Sequence, residues 1–169
     1  KPLYSYGGRG MIRLSTEFCW SENDCYPVSM ANSILQNTAF PMLAMSFLKN
    51  VVMGDKGIIV VNKKILGSSL RYPGPGQWIC NVAQGGQALH TEPGEDELSI
   101  EAILTPMLYE KGVILYGFDT LVNDDGHRVL SEINSLSIGG LMPMEKRSGR
   151  KIVKEAAEGI WDYVSATSQ

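Results

Sequence analysis

Three observations predict an α+β fold in which antiparallel sheets are flanked by helices. Residues 57–61 and 64–72 read as paired strands joined by a tight turn at Asn62-Lys63. A second hairpin spans 113–122 and 128–134, with the turn signal Asn123-Asp124-Asp125-Gly126 between its strands. Helical spacing appears twice: at Ile100, Ile103, Leu104, Met107 and Leu108, and at Ile152, Val153, Ala156, Ala157, Ile160, Trp161 and Val164.

The remaining elements follow in chain order. Gly7-Gly8-Arg9-Gly10 is a flexible loop before a short strand, Met11 to Ser15. The polar stretch Ser21 to Tyr26 reads as a loop, and Pro27 as the first residue of a helix reaching about Thr38. Pro41 to Leu48 is apolar and reads as a buried strand. The methionines between Met42 and Met53 are expected in the core or at a lobe interface. Residues 73–86, rich in glycine and proline around Trp78, form a loop of a length usually reserved for function. Glu95-Asp96-Glu97 precedes the first long helix, Pro106 should kink it and Gly112 should end it. Trp161 in the last helix is expected to pack.

Composition excludes several classes. Hydrophobic residues make up 44% and charged residues 20% of the 169, as in ordinary globular domains. A chain of this length buries about 70% of its unfolded surface, as one domain or two small lobes. A net charge of −3 offers no electrostatic basis for binding nucleic acid or anionic membrane. No apolar run reaches transmembrane length, and there is no signal peptide. Cys19, Cys25 and Cys80 lack metal-ligand spacing and read as reduced thiols, placing the protein in the cytoplasm; a Cys19–Cys25 disulfide is the less favoured alternative. The chain opens at Lys1-Pro2-Leu3, without an initiator Met and inside an apparent functional motif, so it is expected to be part of a larger protein.

The residues with the most chemistry lie on the second hairpin. Glu132 and Asn134 are two apart on a strand and leave the same face. A two-residue turn at Asp125-Gly126 sets Asp119 opposite Glu132; a four-residue loop sets it opposite Leu130 on the same face, and a three-residue loop breaks the alignment. Three hard oxygen donors suit Mg²⁺ or Mn²⁺ and hence phosphate chemistry, although exposed acids on a sheet face are common without a metal. Lys1 with the 7–10 glycine loop could cradle a phosphate or be a plain turn. Arg71, at the base of the glycine-rich loop, could grip a phosphoryl or carboxylate oxygen or simply end a strand in water. His90 and His127 are loop residues with no assigned chemistry.

Taken in order, these pieces resemble the ATP-grasp ligases, and among them the bacterial glutathione synthetases most closely. Lys1-Pro2-Leu3 followed by Tyr6-Gly7-Gly8-Arg9-Gly10 looks like that family's ATP-binding lysine and phosphate-covering loop. Phe47-Leu48, then Gly54-Asp55-Lys56 leading into Ile58 to Val61, looks like the adenine hinge and the hairpin after it. Arg71, nine residues, then Asn81-Val82-Ala83-Gln84-Gly85-Gly86 is similar to the lid over the reaction centre. Pro106-Met107-Leu108, Gly112 and Gly117-Phe118-Asp119 resemble the helix and strand carrying the first metal ligand. Glu132-Ile133-Asn134 and Ser137-Ile138-Gly139-Gly140 match the other ligands and a substrate-facing turn.

The resemblance implies an ATP-grasp fold with ATP between two lobes: residues 1–48 as part of the first, and 49–169 as the second, with a lid at 72–87. It implies ATP bound by Lys1, Gly7, Gly8, Gly10 and the hinge residues Met45, Ser46, Phe47 and Leu48. The metal, Mg²⁺ with Mn²⁺ as the alternative, would sit on Asp119, Glu132 and Asn134. Arg71 would be catalytic, and Asn81, Gly85, Gly86, Ser137, Gly139 and Gly140 would meet the substrate. The implied reaction joins a carboxylate to an amine through an acyl phosphate, with γ-glutamylcysteine, glycine and ATP as substrates. The substrate domain and part of the first lobe would lie in the rest of the same enzyme, with a homo-oligomer left open. The chain departs from the family pattern at Tyr4, Gly57, Ile79, Gln87 and Ser137-Ile138, losing arginines at 57 and in the lid. The alternatives are a peptide ligase adding an amino acid such as glutamate to another carboxylate, or a nucleotide-binding module without catalysis.

Overall fold

The computed structural model describes residues 1–4, 7–21, 24–38, 41–136 and 138–167, and the side chain of Gln84 is not described. Strands β4 (Asp55–Val61), β5 (Lys64–Tyr72), β6 (Gln87–Thr91), β7 (Leu115–Val122) and β8 (Arg128–Asn134) form one antiparallel sheet in the order β6-β5-β4-β7-β8. Helices α2 (Glu95–Tyr109), α3 (Leu141–Ser148) and α4 (Ile152–Thr167) cover it. A three-stranded sheet of β1 (Ile12–Leu14), β2 (Phe18–Ser21) and β3 (Asp24–Pro27) precedes a short α1 (Ala31–Gln36). This is the α+β arrangement the alternating patterns predict.

The period of two along β4 and β7 divides the core between two faces. Ile58, Val60, Tyr116 and Phe118 point to one side and pack against Leu104, with Ile100 and Leu108 beside them, so α2 lies on that face. Ile59, Val61 and Leu66 point to the other and meet Met144, Ile152 and Ala156, so α3 and α4 cover the Val61 end of it. Close approach needs glycine here: a Cβ on Gly159 would sit 2.9 Å from Val61, and one on Gly67 2.7 Å from the Met144 sulfur. The Asp55 end of that second face carries no helix.

Two bulges adjust the strand pairing. Asn62 and Lys63 both adopt positive φ, as a two-residue hairpin turn requires. Continued without interruption, that turn would set Asp55 opposite Leu70. Leu66 is instead skipped, between the pairs Ile59↔Gly67 and Val60↔Ile65, and Asp55 faces Arg71. In the second hairpin Asn123 and His127 are bonded across a three-residue tip with Gly126 at positive φ. That loop alone would put Asp119 opposite Ser131. A bulge at Ser131 restores the pair Asp119↔Glu132, with Gly117↔Asn134 beyond it.

Several expectations are corrected. The 21–26 stretch is not a loop: Phe18–Ser21 and Asp24–Pro27 are paired strands that bury Cys19. The helix expected from Pro27 begins as a 3₁₀ turn at Val28–Met30 and is helical only over Ala31–Gln36. Residues 41–48 do not form a buried strand; Met42 makes one bridge to Pro2, and Leu43 and Met45 are exposed. Met53 is exposed too, so the methionine-rich stretch is not core among the described residues. α2 continues past Pro106 to Tyr109, since a proline this near the C-terminus removes a single backbone bond. Trp161 is 71% exposed and packs on nothing that buries it, while Ile152 and Ala156 carry the contact of α4. Helix α3 has no counterpart in the sequence-based reading, because Met142, Pro143 and the Lys146-Arg147 pair hide its short apolar face. All three cysteines are free. Among the described residues no helix is long and apolar enough to cross a membrane.

Candidate active site

The helix-free end of the sheet is where the charged residues collect. Register alone places Asp55, Gly57, Arg71, Asp119, Glu132 and Asn134 on this face. Arg71 Nε donates to Asp55 Oδ1 at 2.7 Å and its Nη2 to Asp55 Oδ2 at 3.0 Å. The same Nη2 lies 2.9 Å from Asp119 Oδ1. Lys1 reaches over from the chain start and pairs through Nζ with Glu132 Oε2. Lys1 is itself fixed by backbone bonds between residues 1–3 and 41–43: Leu3 N–H to Pro41 O at 2.9 Å and Leu43 N–H to Lys1 O at 2.7 Å.

Burial raises the Asp119 carboxyl pKa to about 6; Arg71 offsets part of that rise, and the neighbouring Asp55 and Glu132 add to it. Burial also raises the pKa of Asp55, against the pull of Arg71. Desolvation alone would weaken the Arg71 cation, but Asp119 and Asp55 outweigh it and hold its pKa above the usual guanidinium value. Three carboxylates, Asp55, Asp119 and Glu132, thus share two cations, Arg71 and Lys1. A surplus of negative charge with oxygen-only donors fits a hard divalent cation. Among the described residues no group of three His, Cys, Asp or Glu side chains could hold a metal; Asn134, opposite Gly117, adds an amide to the same face.

Because the Asp119 pKa is about 6 rather than the model-peptide value near 3.9, the sign of its pH effect is fixed. The folded chain holds this proton more tightly than the unfolded chain does, so the Asp119 contribution to stability is favourable below pH about 4. It is lost as pH rises through 6. Divalent-cation binding needs the ionised form and runs the other way. Thermal melts at pH 7.5 and pH 5 should therefore show Mg²⁺ raising Tm at the first and far less at the second.

Gly57 lies under this cluster. A Cβ there would come 2.9 Å from Asp119 Oδ1 and 3.6 Å from Arg71 Cζ and Nη2. Gly57→Ala should leave the fold intact and displace Asp119, lowering Mg²⁺ affinity by about tenfold, readable by Mn²⁺ competition.

Two loops meet beside the cluster. Gly7, Gly8 and Gly10 take positive φ, and a Cβ on Gly8 would strike Asn81 Oδ1 at 2.7 Å and Ile79 Cγ2 at 2.8 Å. The glycine loop therefore touches the 73–86 loop directly. At the base of the latter, Gly86 packs so tightly on the carbonyls of Cys80 and Tyr72 that no side chain fits. Phe47 stacks edge-on with Trp78 at 6.0 Å, and the Arg13 guanidinium lies 4.1 Å from the Phe47 ring and 4.7 Å from Trp20. The segment holding Met45, Ser46, Phe47 and Leu48 is thereby tied to the loop. Gly139 and Gly140 follow β8, with Gly140 at positive φ capping α3; Ser137, and Tyr6 of the glycine loop, lie outside the described residues.

The opposite face of the same strands carries residues the sequence reading missed. Glu97, on α2, is 1% exposed; its Oε1 lies 3.2 Å from Lys56 Nζ and 3.3 Å from Arg128 Nε. Its Oε2 accepts the Gly94 N–H at 2.6 Å, closing the start of α2. Arg128 Nη1 reaches the carbonyls of Gly54 and Thr120, locking β8 to β4 and β7 next to Asp119. The only sequence signal for Glu97 is its place three residues after Gly94, a capping position that gives no hint of the cations it meets. Asp55 was read only as part of Gly54-Asp55-Lys56, because its contact with Arg71 depends on the Leu66 bulge.

A five-stranded antiparallel sheet with an oxygen-rich end, flanked by a glycine loop and a long lid-like loop, defines an ATP-grasp domain. ATP-grasp ligase PsnB, in a structure with its minimal precursor, Mg and ADP, superposes with a TM-score of 0.53 at 13% identity, over 81% of this chain and 41% of that one. Residues 1–149 match the family described as the ATP-grasp domain of prokaryotic glutathione synthetase, and the chain belongs to that family. It is 32% identical to the glutathione synthetase of Parasynechococcus marenigrum over 97% of this chain and 50% of that protein. It is 33% identical to that of Prochlorococcus marinus over 88% of this chain and 45% of that protein. The chain thus spans about half the length of these curated relatives.

Proposed function

We propose that the protein carrying this chain is an ATP-dependent carboxylate–amine ligase making glutathione from γ-glutamylcysteine and glycine. The observation that carries this reading is the alignment of Asp119, Glu132 and Asn134 on one bare sheet face, with Arg71 and Lys1 already drawn to its carboxylates. The family, and relatives bearing that enzyme name at about one-third identity, support it.

In this reading residues 1–48 belong to the first lobe and 49–169 to the second, and the rest of the protein supplies the substrate domain. Asp119, Glu132 and Asn134 hold Mg²⁺, which when bound neutralises charge on the phosphates. Lys1 and the N–H groups near Gly7, Gly8 and Gly10 bind the phosphates, and residues 45–48 receive the adenine. A carboxylate oxygen of the acid takes the γ-phosphoryl group and ADP departs. The amine nitrogen then attacks the acyl carbon, the bond to the phosphate oxygen breaks, and phosphate leaves as the amine proton is lost. Arg71 offsets the charge of the acyl phosphate. Asn81, Gly85, Gly86, Ser137, Gly139 and Gly140 line the substrate side, and the 72–87 lid shields the acyl phosphate from water. The protein works in the cytoplasm, where γ-glutamylcysteine and ATP are made.

Ile79, apolar and packed toward Gly8, leaves that part of the lid without positive charge. This favours, as second reading, a ligase of the same mechanism acting on a peptide carboxylate. ADP release by the protein with Mg²⁺, γ-glutamylcysteine and glycine decides between them. Turnover requiring all three supports glutathione synthesis; release only when glutamate and a peptide acid replace them supports the second reading. ATP binding without release under either condition overturns both.

A further inference from the structure

We propose that Asp55 is the positioning residue for Arg71, holding its guanidinium at the reaction centre when a divalent cation draws Asp119 away. This deepens the ligase reading above and rests on it. Arg71 makes two kinds of contact. With Asp55 it forms a paired, fork-like interaction through Nε and Nη2, at 2.7 Å and 3.0 Å. With Asp119 it shares only Nη2, at 2.9 Å.

The two partners have different obligations. Asp119 sits opposite Glu132 and next in line to Asn134, so it is the carboxylate a cation would recruit. Asp55, on β4, lies opposite Arg71 on β5, and both of its carboxylate oxygens accept from that one guanidinium. A cation at Asp119 competes with Nη2 for the same oxygen, Oδ1. Once that contact is released, a lone arginine at a strand end would regain its rotamer freedom and swing into water. The Asp55 fork prevents this, fixing Nε and one edge of Nη2 and leaving Nη1 and the vacated side of Nη2 for an anionic group of the substrate. Gly57 keeps the space between Asp55 and Asp119 open, since a side chain there would meet both Asp119 and Arg71. Metal loading and anion binding are thereby coupled through one guanidinium: the step that frees Arg71 from Asp119 also presents it to the anion.

The test follows the Arg71 Nη2–H group, the one shared by Asp55 and Asp119, by ¹⁵N NMR in the whole protein, with the resonance assigned by its absence in R71K. In the wild type the signal should persist, slow to exchange with water, both without ligand and with saturating Mg²⁺·ADP. In D55A it should persist without ligand, where Asp119 still restrains the side chain. On loading with Mg²⁺·ADP it should exchange about tenfold faster or more, or vanish, as expected for loss of a charge-assisted hydrogen bond. D55E, which returns a carboxylate, should restore part of the protection, and D55N serves if D55A does not fold. A D55A or D55N signal that stays protected after loading overturns the proposal, as does loss of the wild-type signal on loading. A wild type that does not bind Mg²⁺·ADP by calorimetry overturns the ligase reading, and the proposal with it, and is told apart by that binding measurement.

Discussion

Replacing Asp119 by Ala is expected to lower Mg²⁺-dependent nucleotide affinity by more than about 100-fold, because even groups behind a metal ligand are commonly worth 10- to 100-fold. The residue sits on a rigid central strand, opposite Glu132 and beside Gly57, and its carboxylate is only 24% exposed. Removing it leaves Glu132 and Asn134 as donors, with Asp55 engaged by Arg71, too few free hard oxygens for Mg²⁺ against water. It also removes the negative surplus, since Asp55 and Glu132 then only balance Arg71 and Lys1. Stability should move the other way. Burial raises the Asp119 pKa to about 6, so at neutral pH the ionised group is held at a cost that the Ala variant relieves in part. Calorimetric titration with and without Mg²⁺, paired with a melt at pH 7.5, separates the two effects.

Glu97→Ala is expected to cost about 3–5 kcal/mol, the usual penalty for stripping one partner from a buried ion pair. Lys56 and Arg128 would both lose their buried carboxylate partner, and the Gly94 N–H at the start of α2 would lose its acceptor. For a chain of this length that corresponds to a fall in Tm on the order of 10 °C. An exposed pair provides the contrast: Lys154 and Glu158 approach to 3.4 Å on the surface of α4, and Lys154→Ala should shift stability by less than about 0.5 kcal/mol. Because Arg128 ties β8 to Gly54 and β7, the Glu97 variant should also weaken Mg²⁺ binding at the proposed site, although Glu97 pairs with none of Asp119, Glu132 and Asn134.

The sheet and its hairpins were legible because strand patterning and turn chemistry act locally. Lys64–Tyr72 and Arg128–Asn134 begin and end where the sequence places them, and Asn62-Lys63 turns as expected. The shared face of Asp119, Glu132 and Asn134 was legible as well, but not for the reason first given. The tip is a three-residue loop, which by itself would misalign Asp119, and the Ser131 bulge corrects it. The Leu66 bulge likewise brings Asp55 opposite Arg71. Each inserts one residue and reverses which side chains share a face, and neither Leu66 nor Ser131 carries a local signal for it. Segment 41–48 was misread for a related reason. Its apolar residues look like a core strand, yet among the described residues its strand-like backbone bonds run only to residues 1–3, and Leu43 and Met45 are left in solvent.

The central claim, that Asp119, Glu132 and Asn134 together receive the divalent cation of a bound nucleotide, is tested most directly by anomalous diffraction from crystals of the protein grown with Mn²⁺ and ADP. The account predicts a manganese peak in contact with the Asp119 and Glu132 carboxylates and the Asn134 amide oxygen, with Lys1 drawn off Glu132 and Arg71 retained by Asp55. Manganese bound through the nucleotide alone, with Arg71 still on Asp119 and Lys1 still on Glu132, would contradict it.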